Sequence, residues 1–180
     1  GLEKCAANYT PLTPLSFLKR AADIHANRTA VVWKSTRLTY ADYAAEVSRM
    51  ASALARHGIA PGDVVATLIP NIPQQAVAHF GVPAAGAILN TINTRLDADT
   101  VAYIFGHAGA KIVLCDTAFL PLAEEAIKRM DSGPAPQIIE VVDHGFTATT
   151  EVVRINTWLA EKGWLAWKEV PATAQEIGRA

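Results

Sequence analysis

The sequence predicts an α/β fold in which a mostly parallel, doubly wound sheet carries helices on both faces. Three observations support this prediction. Residues 63–69 form a nearly unbroken apolar run rich in β-branched side chains, which is typical of a strand covered on both faces. Similar apolar runs recur at 88–91, 111–115 and 137–142. Helical patterns separate these runs, and such alternation favours parallel strands joined by right-handed crossovers.

The amino-terminal elements are a helix and a short hairpin. Thr13 and Pro14 provide a hydroxyl cap followed by proline at the first helical position, and apolar residues then recur at helical spacing up to about Ala26. The β-like runs 29–33 and 37–40 are separated by only three residues, which predicts a hairpin although its turn contains no glycine.

The next helix has a clear beginning and end. Thr39 is its expected cap because Asp42 follows at the third helical position, where its carboxylate can complete a capping box. An apolar stripe follows, and Gly58 is expected to end the helix in the left-handed conformation. The stripe consists of Tyr43, Val47, Met50, Ala51 and Leu54.

The centre of the predicted fold is the stretch from 62 to 96. After the first long strand, Pro70 and Pro73 indicate a turn that leads into a helix over 74–87. This helix is rich in alanine and glycine, so it can approach the sheet closely, and Pro83 is expected to kink it or divide it in two. Residues 88–91 are then expected to return as a second buried strand.

The second half repeats the pattern. Asp97 is expected to cap a helix that Gly109 terminates, and residues 111–115 follow as a third buried strand. A further helix is predicted from Asp116 to about Met130, followed by a loop and the strand 137–142. Beyond residue 143 the regularity fades, although 151–162 could form one more helix, so the sequence predicts a folded unit over 1–143 and a separate connection or altered end over 144–180.

Composition narrows the functional class. Hydrophobic residues make up 51% of the 180 residues and the formal net charge is only −1, which favours a folded domain and gives no reason to expect nucleic acid as a partner. No apolar run approaches the length of a membrane span. Two cysteines form no disulfide framework, and Cys115 is expected to be a reduced core residue. We therefore expect a cytoplasmic location.

Residues with catalytic chemistry are sparse. The five histidines are far apart in sequence and match no metal-binding spacing, and no serine or cysteine has the context of a nucleophile. The sequence thus predicts no catalytic, cofactor-binding or metal-binding residue. His79, in the central helix, is either a satisfied histidine or a catalytic one. Arg95 could bind a carboxylate or phosphate, or could make a structural ion pair or backbone contact.

The phosphate-binding glycine patterns are also missing. The strand-to-helix turn after Ile69 reads Pro-Asn-Ile-Pro, in which two positions have no N–H to donate to a phosphate. The glycines of the central region match neither the dinucleotide fingerprint nor the P-loop spacing. A doubly wound sheet could hold a nucleotide, but this turn lacks the N–H donors and the glycines that usually bind its phosphates.

Four short segments of the sequence, taken in order, nevertheless resemble those of one protein family. The order of Gly-Asp-Val at 62–64, Pro-Asn-Ile-Pro at 70–73, His-Phe-Gly-Val-Pro-Ala-Ala-Gly-Ala at 79–87 and Asn-Thr-Arg-Leu at 93–96 is similar to that in adenylate-forming, AMP-binding acyl-CoA synthetases. The similarity extends from about Tyr9 to 142 and is greatest with the short- and medium-chain acyl-activating branch. It implies that the chain is the amino-terminal part of a larger fold.

The resemblance also implies a reaction. In this family a carboxylate attacks the α-phosphorus of Mg-ATP to give an acyl-adenylate and pyrophosphate, and the thiol of CoA then displaces AMP. The family's phosphate loop, nucleotide contacts, hinge and catalytic lysine all lie beyond the matched region, so none is assigned to a residue here. We expect this chain alone to bind no ATP, Mg²⁺ or CoA and to be inactive. The alternative is a stand-alone interaction module, which could form a homo-oligomer or bind a complementary carboxy-terminal piece.

Overall fold

The computed structural model describes residues 3–5, 7–131 and 133–141. After an amino-terminal helix and a two-stranded hairpin, helices and strands alternate, and a short 3₁₀ turn, Thr117–Phe119, precedes the last helix. In chain order the elements are α1 (Pro14–His25), β1 (Thr29–Trp33), β2 (Thr36–Thr39), α2 (Tyr40–Arg56), β3 (Val64–Leu68), α3 (Pro73–Ala84), β4 (Ile88–Thr91), α4 (Ala98–Ala108), β5 (Ala110–Asp116), α5 (Leu120–Lys128) and β6 (Gln137–Val141).

The predicted helix caps are present. Thr13 caps α1 and exchanges hydrogen bonds with Ser16, whose backbone N–H donates to Thr13 Oγ1 at 3.2 Å. Thr39 caps α2 in the same way, because the Asp42 N–H donates to Thr39 Oγ1 and the Thr39 N–H donates to the Asp42 carboxylate. Strands β1 and β2 pair antiparallel, which confirms the hairpin. Lys34 adopts a φ of +50° in its turn, the conformation that glycine usually supplies.

The main sheet is parallel and has the strand order β4-β3-β5-β6. This confirms the predicted α/β architecture. The expectation of a second buried strand at 88–91 is wrong, however, because β4 lies at an edge of the sheet and Ile88 is 54% exposed. A run of apolar residues does not determine strand order, which depends instead on where each crossover returns the chain.

Two apolar cores cover the sheet, one on each face. The α2–α3 face includes Val65, Ile112 and Leu114 from the strands, packed against helices α1, α2 and α3. The α4–α5 face includes the intervening residues Ala66, Val113 and Cys115, packed against α4 and α5. Successive strand residues therefore alternate between the two cores, as the pleat requires. These cores confirm the doubly wound arrangement.

The central helix α3 differs from expectation in two respects. It continues through Pro83 and ends only one residue later, so division into two helices, one of the two outcomes expected for Pro83, is wrong. A proline so near the end of a helix removes one backbone hydrogen bond and leaves the earlier turns intact. In addition, Gly81 allows close approach to helix α2 instead of to the sheet. A Cβ on Gly81 would lie 2.6 Å from Met50 Sδ and 2.9 Å from Met50 Cβ of α2. The small residue thus allows close contact between two helices.

Some predictions fall outside the described residues. The possible helix over 151–162 and the segment 144–180 are among them, so the division of the chain at residue 143 stays a prediction. Within the described ranges, every helix is too short or too polar to cross a membrane.

Candidate functional site

The sheet has a topological switch point between β3 and β5. From β3 the chain crosses by α3 on one face to reach β4, and then crosses by α4 on the other face to reach β5 on the opposite side of β3. In open α/β sheets, ligands bind where such crossovers diverge, just beyond the carboxyl ends of the strands. The turns that follow β3 and β5 are therefore the candidate functional site.

The turn after β3 offers few donors. Pro73 occupies the first turn of α3, as predicted, and has no N–H. The residue before it, Ile72, has no side-chain capping bond, and its own N–H already donates to the carbonyl of Pro70 at 2.7 Å. Phosphate recognition at a helix N-terminus requires several free N–H groups directed at the ligand. The described part of this turn does not provide such a cradle.

The turn after β5 is acidic. Asp116 closes it by accepting a hydrogen bond from the Ala118 N–H at 2.9 Å through its carboxylate. The preceding Cys115 is fully buried, and burial, followed by the nearby negative charge of Asp116, raises the pKa of its thiol to about 12. Such a thiol stays protonated near neutral pH and is a poor nucleophile. Cys115 is a reduced core residue, as predicted.

His79 lies on the exposed side of α3. Its Nδ1–H donates to the backbone carbonyl of Gln75, one turn earlier, at 2.7 Å. This bond directs one ring nitrogen to the helix itself and leaves Nε2 for other contacts. The geometry is that of a histidine whose Nδ1 is satisfied within its own helix.

Arg95 lies in the exposed loop between β4 and α4, after the carboxyl end of β4. Its backbone N–H donates to the Asn93 side chain at 3.0 Å, which forms a tight turn ahead of the Asp97 cap of α4. Among the described residues, its guanidinium makes no ion pair, and no hydrogen bond joins it to His79. The two candidates therefore do not form one site in this part of the chain.

Sequence reasoning missed a group of buried polar residues beside the switch point. Gln74 and Gln75 are 8% and 7% exposed in the first turn of α3, and Thr67 of β3 is 1% exposed. Glutamine and threonine are mostly exposed in proteins, so neither stood out by residue type. The signal was their position, because both glutamines directly follow Pro73 at the start of an otherwise apolar helix.

No metal centre is formed by the described residues, since no three histidine, cysteine, aspartate or glutamate side chains cluster there. Acidic groups at the opposite, amino-terminal edge of the sheet form ion pairs and backbone hydrogen bonds instead. Asp63 is an example, because Lys111 lies 2.7 Å from its carboxylate and the Ala60 N–H also donates to it. The hydrogen bond from Lys111 and then that from Ala60 hold the pKa of Asp63 below its usual range.

Comparison with known proteins agrees with this architecture. The model of the AMP-binding enzyme family matches residues 18–176. The chain belongs to this family. It is 43% identical over 148 residues to the peroxisomal acetate/butyrate-CoA ligase AAE7 of Arabidopsis thaliana, a match that covers 79% of this chain and 26% of that protein. It is 48% identical over 127 residues to the acetate-CoA ligase CCL3 of Humulus lupulus, covering 71% and 22%.

The fold also matches members of the family with solved structures. The N-terminal domain of FACL13 from Mycobacterium tuberculosis superposes with a TM-score of 0.65 at 28% identity, over 90% of this chain and 38% of that one. The chain spans only about a quarter of the length of the curated relatives that it matches. Within the AMP-binding family, it therefore corresponds to the amino-terminal region.

The predicted cytoplasmic location is wrong. Several relatives, including the acetate/butyrate-CoA ligase AAE7, are named as peroxisomal enzymes. The prediction rested on unpaired cysteines and on the lack of an apolar run long enough to span a membrane. Neither observation separates the two compartments, because import into peroxisomes uses a short receptor-read address instead of a cleaved apolar leader.

Proposed function

We propose that this chain is the amino-terminal subdomain of an ATP-dependent, AMP-forming acyl-CoA synthetase. The complete enzyme would convert a carboxylate, ATP and CoA to acyl-CoA, AMP and pyrophosphate. The observation that carries the proposal is the match of the family model to residues 18–176, together with identities above 40% to carboxylate-CoA ligases. The doubly wound sheet supports it because the same arrangement superposes on an N-terminal domain of this family.

We also propose a short- or medium-chain carboxylate as the substrate. The relatives that support this are named for acetate and butyrate, and they share more than 40% of the aligned residues with this chain. The names of these relatives are the basis of this part of the proposal.

The proposed catalysis requires the remainder of the enzyme. The switch point would have to bind ATP phosphates, yet Pro70 and Pro73 lie in one of its turns and the carboxylate of Asp116 lies in the other. A carboxylate repels a polyphosphate, and proline cannot donate to it. These residues do not fit the phosphates of ATP, and we assign no step of adenylation to them. The role proposed for this chain is to position the rest of the enzyme.

A chimera tests the proposal. Residues 3–141 would replace the matching region of the acetate/butyrate-CoA ligase AAE7, and acetate- and butyrate-dependent exchange of pyrophosphate into ATP would be measured. We expect exchange by the chimera and none by the 180-residue chain alone. A chimera that carries Gly81→Leu is the matched control, because a larger side chain there collides with Met50 and separates α2 from α3.

Two results would contradict different parts of the proposal. Carboxylate-dependent exchange by the 180-residue chain would show that it needs no further part. A chimera that folds cooperatively but exchanges no pyrophosphate would contradict its role in a ligase and favour an interaction module.

A further inference from the structure

Two buried oxygen atoms on the α2–α3 face have no hydrogen-bond partner among the described residues. They are Thr67 Oγ1 in β3 and Gln75 Oε1 in the first turn of α3. Buried hydroxyl and amide oxygens are nearly always hydrogen-bonded, because leaving one without a partner is costly. Two such atoms near one edge of the sheet therefore call for a common explanation.

The strand register brings a second hydroxyl beside Thr67. Thr67 pairs with Thr91 of β4 in the parallel ladder, and side chains paired in this way point to the same face. Val65 belongs to the α2–α3 core and lies two residues before Thr67, so both threonines face this helical layer. Thr91 is exposed at the end of β4, which leaves this pair open to solvent on one side.

The stripe of α3 that contains Gln75 is distinct from the stripe that contacts α2. Ala76 and Phe80 contact Tyr43 of α2, and Gly81 contacts Met50. Gln75 lies on the neighbouring stripe with Ala78 and Val82, at positions i, i+3 and i+7, and all three side chains are buried. Gln75 lies in the first turn of α3, which directly follows the turn after β3, so it lies at the carboxyl end of the strand that contains Thr67.

We propose that Thr67, Thr91 and Gln75 bind one ordered water molecule between the first turn of α3 and the ends of β3 and β4. The water donates to Gln75 Oε1, accepts from the Thr67 hydroxyl and keeps a third bond for Thr91. Buried waters typically make about three such bonds to otherwise unpaired polar groups. The site anchors the first turn of α3, which has no side-chain capping bond.

A double-mutant cycle tests this inference on the 180-residue chain. Thr67→Val and Gln75→Met each remove one ligand of the water while preserving most of the side-chain volume. We expect each single substitution to raise the equilibrium constant of unfolding about tenfold, because it leaves the other buried oxygen unpaired. The double substitution should have about the effect of one single substitution. Thr36→Val, an exposed change in β2, is the control and should have little effect.

Other results would overturn the inference. If the two effects multiply in the double variant, the two oxygens act independently. If either single variant has a lower equilibrium constant of unfolding than the unmodified chain, the oxygen that it removes has no hydrogen bond to a water. If a variant does not fold, the unmodified protein provides the second measurement. A nuclear Overhauser effect from a bound water to the Gln75 side-chain amide supports the site, and the lack of one contradicts it.

Discussion

The two faces of the sheet are stabilised in different ways. On the α2–α3 face, the helices approach closely at Gly81 and Met50, and directed contacts add to this packing. The Tyr43 hydroxyl donates to the carbonyl of Ala76 at 2.7 Å, and its ring meets Phe80 edge to face with centroids 5.7 Å apart. Burial raises the pKa of Tyr43 to about 12, so this donor keeps its proton throughout the neutral range.

The α4–α5 face has an apolar interior and an ionic surface. Phe105 is fully buried in its core and is among the largest side chains there. The two helices are also joined by Arg129 of the α5 C-cap, which lies 2.9 Å from Asp99 of α4 and 2.9 Å from Glu125. These charges are exposed, and pairs of this kind contribute little to stability in water. This face is therefore stabilised mainly by the burial of large apolar side chains.

This difference predicts which kind of substitution should destabilise each face most. The α4–α5 face should respond most to loss of volume, whereas the α2–α3 face should respond most to gain of volume. Three measurements test this comparison, from the largest expected effect to the smallest.

Removing volume from the α4–α5 face should be the most damaging change. Phe105→Ala should lower the free energy of unfolding by about 3–5 kcal/mol, since it deletes a fully buried ring and leaves a cavity. Urea unfolding of the 180-residue chain measures this change. Phe17→Ala on the exposed side of α1 is the control, because Phe17 is 61% exposed. Equal losses in the two variants would contradict the assignment of Phe105 to the core.

Adding volume to the α2–α3 face should have the next largest effect. Gly81→Ala should lower the free energy of unfolding by about 1–2 kcal/mol, because the clash with Met50 outweighs the better helix propensity of alanine. Ser48→Ala, on the exposed side of α2, provides the control. The double variant Gly81→Ala/Met50→Ala should lose less than the sum of its two single variants. Additive losses would show that the two positions do not pack together.

Acid should weaken both faces through their capping carboxylates. Hydrogen bonds from Thr39 lower the pKa of Asp42 on α2, and those from Thr100 lower the pKa of Asp97 on α4. A lowered pKa in the folded state stabilises the protein above the pKa of the unfolded state, about 3.9. Stability from these groups should thus be constant from pH 7 to about 5 and should be lost as the pH falls through the folded values.

Urea unfolding between pH 7 and 3 measures this effect. Asp42→Asn and Asp97→Asn should each flatten the acid limb of the stability profile, and their comparison shows which helix start contributes more. A wild-type profile that rises toward pH 3 would contradict the sign of both pKa shifts.

The sequence predicted features that depend on neighbouring residues. Thr13 and Thr39 are helix caps because a polar side chain three residues later completes each capping box, and this information is local. Asp97 and Gly109 likewise begin and end α4 where expected. Burial of Cys115 followed from the apolar run that contains it.

Features that depend on distant parts of the chain were missed. The edge position of β4 depends on where β5 pairs, more than twenty residues later, and no property of Ile88 reveals it. The partner of Gly81 is Met50, an earlier helix residue that the small side chain could not identify. The burial of Gln75 was missed because amide side chains are usually exposed.

The strand order also has a consequence for folding. Strand β3 can pair with β4 as soon as α3 has formed, but its other edge must wait for β5, which ends at Asp116. During synthesis, the apolar edge of β3 therefore stays unpaired while more than forty further residues emerge. An unpaired edge is a template for association with another chain. A nascent chain that has not yet emerged as far as Asp116 should therefore be the form most in need of a chaperone.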